Sequence, residues 1–207
     1  MKLVFSRHGE SEANVQRIYW NSPGRFPLTA TGRQQAEALA ETLAGYEFAG
    51  LYCSPVQRAL ETAQIVGRRF GLTPQVVDGL REYHVGILEG QAYSQETEAL
   101  YWQAKTQWVR YGSFDARIEG GESSNDIAAR FMPMIAGLEA RYRDTQATLL
   151  LISHGGTLGA MLPLLLSNVD QDYPLEHPMG YTNPIVAELR DGEWVCLCWG
   201  NELLGSA

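Results

Sequence analysis

Two short apolar runs end in the same way. Leu3-Val4-Phe5 leads into Ser6-Arg7-His8-Gly9, and Thr148-Leu149-Leu150-Leu151-Ile152 leads into Ser153-His154-Gly155-Gly156. Imidazole changes charge near neutral pH, so it suits nucleophilic or proton-transfer chemistry and anion binding. A glycine just after each histidine lets a ligand approach the backbone. A third run, Leu51-Tyr52-Cys53, passes through Ser54-Pro55 into a segment carrying Arg58. The guanidinium forks of Arg7 and Arg58 match the oxygens of phosphate or carboxylate. A helix N-terminus beside Arg58 adds free N–H groups and partial positive charge. In open α/β sheets ligands bind at the carboxyl ends of strands. If the strands before His8 and His154 are parallel neighbours, both imidazoles share one crevice with two arginines, which describes a phosphate pocket.

The elements that must hold these groups follow from local pattern. The apolar runs ending at Phe5, Cys53 and Ile152 read as buried strands. Residues 10–28 contain Asn21, Pro23, Gly24 and Pro27 and read mainly as loop. Ala36, Leu39, Ala40 and Leu43 have helical spacing, with Gly45 as a stop. Ser54-Pro55 places a capping residue before a proline at a helix start, and that helix runs to about Phe70 with Gly71 as its end. Val76-Val77 reads as a strand. A helix from about Ser123 to Arg143 should kink or break at Pro133, and another over Thr157 to Leu166 is interrupted by Pro163. Ile185 to Leu189 and Trp194 to Trp199 flank Asp191-Gly192, a hairpin signal. The expected fold class is α/β: a three-layer, mixed but mostly parallel sheet with helices on both faces. A single domain is expected over residues 1–207, with residues 90–120 as a partly helical insertion. Tyr93, Tyr101, Trp102, Trp108, Tyr111 and Phe114 crowd into that insertion, as the core of a cap or as the lining of a substrate entrance.

The chain has 207 residues and a formal net charge of −8, from 16 Lys+Arg against 24 Asp+Glu. That balance excludes a coat for nucleic acid or anionic membrane, which need a positive field. It makes any anion site local. The three cysteines, Cys53, Cys196 and Cys198, do not form a disulfide framework or a metal-binding Cys pair. Cys196 and Cys198, two apart on a strand, should share one face. No apolar run reaches the ~20 residues of a membrane span. The start turns charged after three apolar residues, too few for a signal peptide, so a cytoplasmic setting is the expectation.

Several motifs then appear in order. Arg7-His8-Gly9-Glu10-Ser11-x-x-Asn14, Pro27-Leu28-Thr29-x-x-Gly32-x-Gln34-x-Ala36, Ser54-Pro55-x-x-Arg58-Ala59-x-x-Thr62-Ala63, Glu82-x-x-x-Gly86-x-x-Glu89-Gly90, Gly120-Gly121-Glu122-Ser123 and Ser153-His154-Gly155 span most of the chain. Together they resemble the histidine phosphatase superfamily, in its cofactor-dependent, phosphoglycerate mutase-like branch. The resemblance implies a phosphoglycerate mutase-like fold and a phosphomonoester hydrolase. His8 would be the nucleophile that becomes a phosphohistidine. Arg7, Arg58 and His154 would hold the phosphoryl oxygens, with Asn14, Ser11 and Gly155 in the phosphate-binding set. Glu82 would protonate the leaving oxygen and then accept a proton from water. The resemblance implies neither a metal nor a cofactor, and a small phosphorylated substrate as partner.

Plainer roles stand beside these. Glu82 could simply pair with Arg81, Glu89 is a competing acid better suited to structure, His84 is either a neighbour of the site or exposed, and His177 belongs to a loop. Arg25 stands where the family often has Asp, two residues before the Pro-Leu-Thr element, and changes the charge of that loop. A mutase returning the phosphoryl group to the substrate is the alternative activity, and a non-catalytic phosphate-binding module is a third. The segment Glu82-Tyr83-His84-Val85-Gly86 and a chain shorter than typical mutases favour hydrolysis. The aromatic insertion suggests an organic phosphate larger or more apolar than phosphoglycerate. The C-terminal hairpin offers an edge through which a homodimer could form.

Overall fold

The computed structural model describes residues 1–204. In chain order the elements are β1 (Lys2–Arg7), α1 (Glu12–Val15), α2 (Ala30–Thr42), β2 (Phe48–Cys53), α3 (Gln57–Phe70), β3 (Gln75–Val76), α4 (Gln95–Tyr111), α5 (Ser124–Tyr142), β4 (Thr148–Ser153), α6 (Gly155–Leu165), α7 (Tyr173–Glu176), β5 (Pro184–Arg190), β6 (Glu193–Trp199) and β7 (Glu202–Leu203). They form one seven-stranded sheet in the order β3-β2-β4-β1-β5-β6-β7.

The sheet is mixed, but not mostly parallel. β3, β2, β4 and β1 pair in parallel, whereas β1–β5, β5–β6 and β6–β7 are antiparallel. The two-residue turn Asp191-Gly192, with φ of 51° and 90°, allows only an antiparallel return, and that hairpin joins the sheet directly beside β1. β7 then pairs with the last residues of β6, covering part of that edge.

Alternation along β1 divides the core. Leu3 and Phe5 pack with Leu149 and Leu151 of β4 against Ile127, Phe131 and Ile135 of α5 and Leu158 and Leu162 of α6. Val4 packs with Leu150 and Ile152 against Leu39 and Leu43 near α2 and Ala59, Ala63 and Val66 of α3. With both faces covered, β4 is apolar on successive residues and buried along its length, as central parallel strands are.

Three local expectations are corrected. Pro133 and Pro163 lie inside continuous helices, so neither marks a break. α5 carries a capping box, Ser123 with Asp126, and buries Ile127, Phe131, Ile135 and Leu138. That burial outweighs an interior proline, which costs about 3 kcal/mol. Ser54 does not cap the first turn of α3 directly, because the helix starts at Gln57 behind Val56. Its hydroxyl accepts from the Val56 N–H at 3.1 Å instead. Cys196 and Cys198 do not share a face. The register of β6 slips by one residue opposite Val186 and Ala187, so Cys196 enters the α5/α6 core and Cys198 packs with the α2/α3 core. Such a bulge reverses the alternation. All three cysteines are free thiols, and burial pushes Cys53 and Cys196 up to about 12.

Candidate active site

β1 and β4 are parallel neighbours in register, Arg7 opposite Ser153, and β2 lies on the other side of β4. Three adjacent carboxyl ends therefore deliver Arg7-His8, His154 and Ser54 to one edge. The rings of His8 and His154 lie 5.0 Å apart, centroid to centroid. The backbone continues the ladder past the strand ends, with His8 N–H donating to Ser153 O and Ser54 N–H to Ile152 O. These bonds fix the positions of the side chains that follow.

His8 is buried and fully oriented. Its Nδ1 lies 2.6 Å from the Gly9 carbonyl; a carbonyl only accepts, so Nδ1 carries the proton and Nε2 the lone pair. Arg58 Nε donates to that Nε2 at 2.9 Å. Burial foremost, then the charges of Arg58 and Arg7, hold His8 well below the ordinary imidazole range, against the Gly9 carbonyl. The ring is thus neutral near pH 7. His154 is also held low, by burial first and then by Arg58, His8 and Arg7. Its Nε2 meets Ser54 Oγ at 2.7 Å.

Arg58 is anchored in turn. Its Nη1 donates to Trp20 O at 2.6 Å and Nη2 to Asn21 Oδ1 at 3.1 Å. Burial brings it down to about 10, so it stays charged at neutrality. One turn later Thr62 accepts from Gly9 N–H and donates to Arg58 O. Arg7 donates from Nη1 to Met179 O at 3.0 Å and lies 4.2 Å from the Tyr181 ring centroid. Among the described residues, three buried side-chain polar atoms find no partner: Arg7 Nε, His154 Nδ1 and Trp20 Nε1. Orphaned buried groups are rare, and Arg7 and Trp20 line the same cavity as His8.

The Glu82 carboxylate does not pair with Arg81, whose Nη1 donates to the Glu82 backbone carbonyl at 3.2 Å. Arg81 binds Glu122 in a fork at 2.9 and 2.9 Å. Glu82 instead sits at the start of α6. Its Oε1 accepts from the backbone N–H of Thr157 and Tyr83 and from the Thr157 hydroxyl, and its Oε2 accepts from Gly156 N–H at 3.0 Å. A Cβ on Gly156 would come within 2.5 Å of Tyr83 and 2.7 Å of the Glu82 carboxylate, so only glycine permits this packing.

The cavity holds about 320 Å³ and is lined by Arg7, His8, Asn14, Arg58, Glu82 and Gly155 among the expected residues. Ser11 and His154 are fully buried and do not line it. Ser11 forms a capping box with Asn14, donating to Asn14 Oδ1 from N at 3.1 Å and from Oγ at 2.8 Å. Glu89 takes the N–H groups of Asn21 and Ser22 and the Ser22 hydroxyl, and so shapes the loop that meets Arg58. His84 is exposed and accepts from Gly86 N–H. His177 stacks on Tyr173 at 4.0 Å and meets Glu202 at 2.9 Å, beside a second, separate hollow. Arg25 stacks on Trp20 and Phe26, each at 4.8 Å.

The aromatic insertion forms the outer wall. Tyr93, Tyr101, Trp102, Lys105 and Val109 line the cavity. Tyr83 sits 6.1 Å from Tyr101 and 5.5 Å from Trp108, whose indole donates to Ala116 O at 2.6 Å. Trp20, Asn21, Met179 and Tyr181 were not singled out in the sequence. Met179 and Tyr181 reach the site because antiparallel β5 starts where β1 ends, and the Asn21 in an Asn-Ser-Pro-Gly loop is the one available signal.

Two imidazoles and two guanidinium groups gathered at the carboxyl edge of a mixed α/β sheet define an anion-handling pocket of the enzyme type. The sequence matches the histidine phosphatase superfamily (branch 1) over residues 3–202, and the chain belongs to that family. It is 30% identical over 191 residues, 86% of this chain and 80% of the relative, to a glucosyl-3-phosphoglycerate phosphatase of Mycolicibacterium vanbaalenii. It is 29% identical, over 93% of this chain and 92% of the relative, to a phosphoglycerate mutase of Schizosaccharomyces pombe. Among solved structures it resembles mycobacterial glucosyl-3-phosphoglycerate phosphatase in complex with inorganic phosphate, with a TM-score of 0.81, 26% identity and 99% coverage of both chains.

Proposed function

We propose that the protein hydrolyses small organic phosphomonoesters through a phosphohistidine on His8. The observation that carries this reading is the orientation of His8: Nδ1–H held by Gly9 O, Nε2 unprotonated and facing a fixed guanidinium. Nε2 attacks phosphorus while the bond to the ester oxygen breaks. Arg7 and Arg58 stabilise the phosphoryl charge from the cavity lining, the buried His154 ring supports them from beside His8, and Asn14 adds a neutral hydrogen bond. Glu82 Oε2, which accepts only one hydrogen bond where Oε1 accepts three, is the atom that gives a proton to the leaving oxygen. It then takes one from the water that attacks phosphohistidine. Ser11 acts through Asn14 and Gly155 by leaving room. The family and its phosphatase relatives support the reading, as does the relative seen with inorganic phosphate. Residues 90–120 serve as a cap on a single domain. No described helix is long and apolar enough to cross a membrane.

Phosphate release from p-nitrophenyl phosphate, with and without chelator, tests the reaction. Activity is expected to persist with chelator and to fall by at least about 10³-fold in His8→Ala. An equally active His8→Ala variant would overturn the mechanism. With 3-phosphoglycerate, phosphate release in excess of 2-phosphoglycerate formation separates hydrolysis from mutase transfer.

A further inference from the structure

We propose that Lys105 on α4 receives a second negative group of the phosphorylated substrate, so that the substrate class is phosphomonoesters that also bear a carboxylate or a further phosphate. This rests on the hydrolase reading and adds a specificity-determining residue to it. Lys105 lines the same cavity as His8, Arg7 and Arg58, but from the helical wall rather than from the strand ends. Tyr101, Lys105 and Val109 are spaced by four residues and so present one helix face to the cavity.

The chain has only two lysines, against fourteen arginines. Lys2 pairs with Glu188 at 3.7 Å. Lys105 has no salt bridge or hydrogen bond among the described residues. Its ammonium lies 5.5 Å from the Tyr101 ring centroid and 5.3 Å from that of Trp102, within cation–π range. The carboxylates of the cavity are already engaged: Glu98 with Arg17 at 3.5 Å, and Glu82 with its four donors. Burial foremost lowers Lys105 from its ordinary range; Arg7 adds to this and Glu82 opposes it. The side chain is partly exposed on the cavity wall, and an anion entering the cavity supplies the direct partner that it lacks. The transferred phosphoryl group belongs with Arg7 and Arg58 beside His8, so the anion beside Lys105 is a different group on the same molecule. An aromatic wall with an ammonium set in it thus favours small, doubly anionic esters over purely apolar ones.

Competition against p-nitrophenyl phosphate hydrolysis tests this with two ligands of one skeleton. 3-Phosphoglycerate carries a carboxylate where glycerol 3-phosphate carries a neutral hydroxymethyl group. The unsubstituted enzyme is expected to bind 3-phosphoglycerate about tenfold more tightly or better, by one charge-assisted contact. Lys105→Met should bring the two inhibition constants within about twofold, and Lys105→Arg should retain most of the difference. Equal inhibition constants in the unsubstituted enzyme, or a ratio unmoved in Lys105→Met, would overturn the assignment while leaving hydrolysis intact. Loss of His8 dependence in the p-nitrophenyl phosphate reaction would overturn the hydrolase reading and the assignment with it. Amine acylation mapped by mass spectrometry gives a readout independent of any variant. Lys105 should be protected by 3-phosphoglycerate and not by glycerol 3-phosphate, and equal protection by both would count against the proposal.

Discussion

The floor and the outer wall of the cavity are built on different principles. On the floor four side chains are tied to backbone: His8 to Gly9 O, Arg58 to Trp20 O, Arg7 to Met179 O, and Glu82 to the first N–H groups of α6. Those carbonyls and amides belong to strand ends and helix starts that the two-sided core holds in place. The wall depends more on ring packing, Tyr19 on Tyr93 at 4.3 Å and Tyr83 on Trp108 at 5.5 Å, with the indole bond to Ala116 O and the Tyr93 N–H bond to Arg17 O beside it. Backbone anchoring sets reacting atoms within fractions of an ångström, as chemistry requires. Ring packing tolerates adjustment to substrates of different shape. On the mechanism proposed above, reaction chemistry belongs to the floor and choice of substrate to the wall.

Arg58→Ala tests the floor most severely. Its Nε donates to His8 Nε2 and its charge helps keep His8 unprotonated. Loss of such a fixed donor is expected to lower kcat by about 10²–10³-fold. Removing a cation also raises the His8 value, because the neighbouring charge disfavoured imidazolium. The acid limb of kcat/KM should therefore move to higher pH, a shift that a pH series with p-nitrophenyl phosphate measures directly. An acid limb that stays in place would show that His8 is not the group titrating.

Glu82→Gln comes next. An alkyl phosphate needs its leaving oxygen protonated, whereas p-nitrophenolate leaves unaided. The variant should lose about 10²-fold on glycerol 3-phosphate and far less in the p-nitrophenyl step. Equal losses on both esters would make Glu82 a structural cap of α6 and no more.

Trp108→Phe probes the wall. It keeps an aromatic ring beside Tyr83 and deletes the N–H donated to Ala116 O. Thermal or urea unfolding should show a loss of about 1–2 kcal/mol, with kcat on p-nitrophenyl phosphate changed by less than about threefold. A fall in kcat approaching that of Arg58→Ala would erase the division between floor and wall.

The floor was legible in the sequence because it lies at ends of strands. An apolar run that stops at His-Gly announces both its burial and its edge, and β1 and β4 bring His8 and His154 together in register. Helix α3 was legible to its last residue, since Gly71 adopts φ of 65° and ends it. What failed depended on partners distant in sequence. The slip of β6 that turns Cys198 to the other face exists only against β5. Ser54 meets a histidine 100 residues away rather than its own helix. The proline breaks did not occur because tertiary burial outweighed a local rule. The parallel character of the sheet was overstated because the hairpin's place beside β1 is not a local property. Lys105 is one cation among 16 in the sequence, and its place on the cavity wall is a property of the fold alone.

The seam between floor and wall offers the smallest and last test. Glu122 accepts from Arg81, next to Glu82, from Arg130 of α5 at 3.0 Å, and from the His84 N–H at 2.7 Å. Burial raises its carboxyl, but the hydrogen bonds from Arg81, Arg130 and the His84 N–H outweigh it and bring the group from 4.5 down to about 2. A carboxylate held low in the folded state adds stability that is fully present above its unfolded value and is lost as pH falls through the folded one. The contribution is therefore complete above about pH 4.5 and declines toward about pH 2. Glu122→Gln should cost about 1 kcal/mol near neutrality, and the deficit should close as pH is lowered through that window. Urea unfolding of both proteins between neutral pH and the acid range measures it. A deficit constant with pH would mean that shape at the seam, and not its charge, joins the wall to the floor.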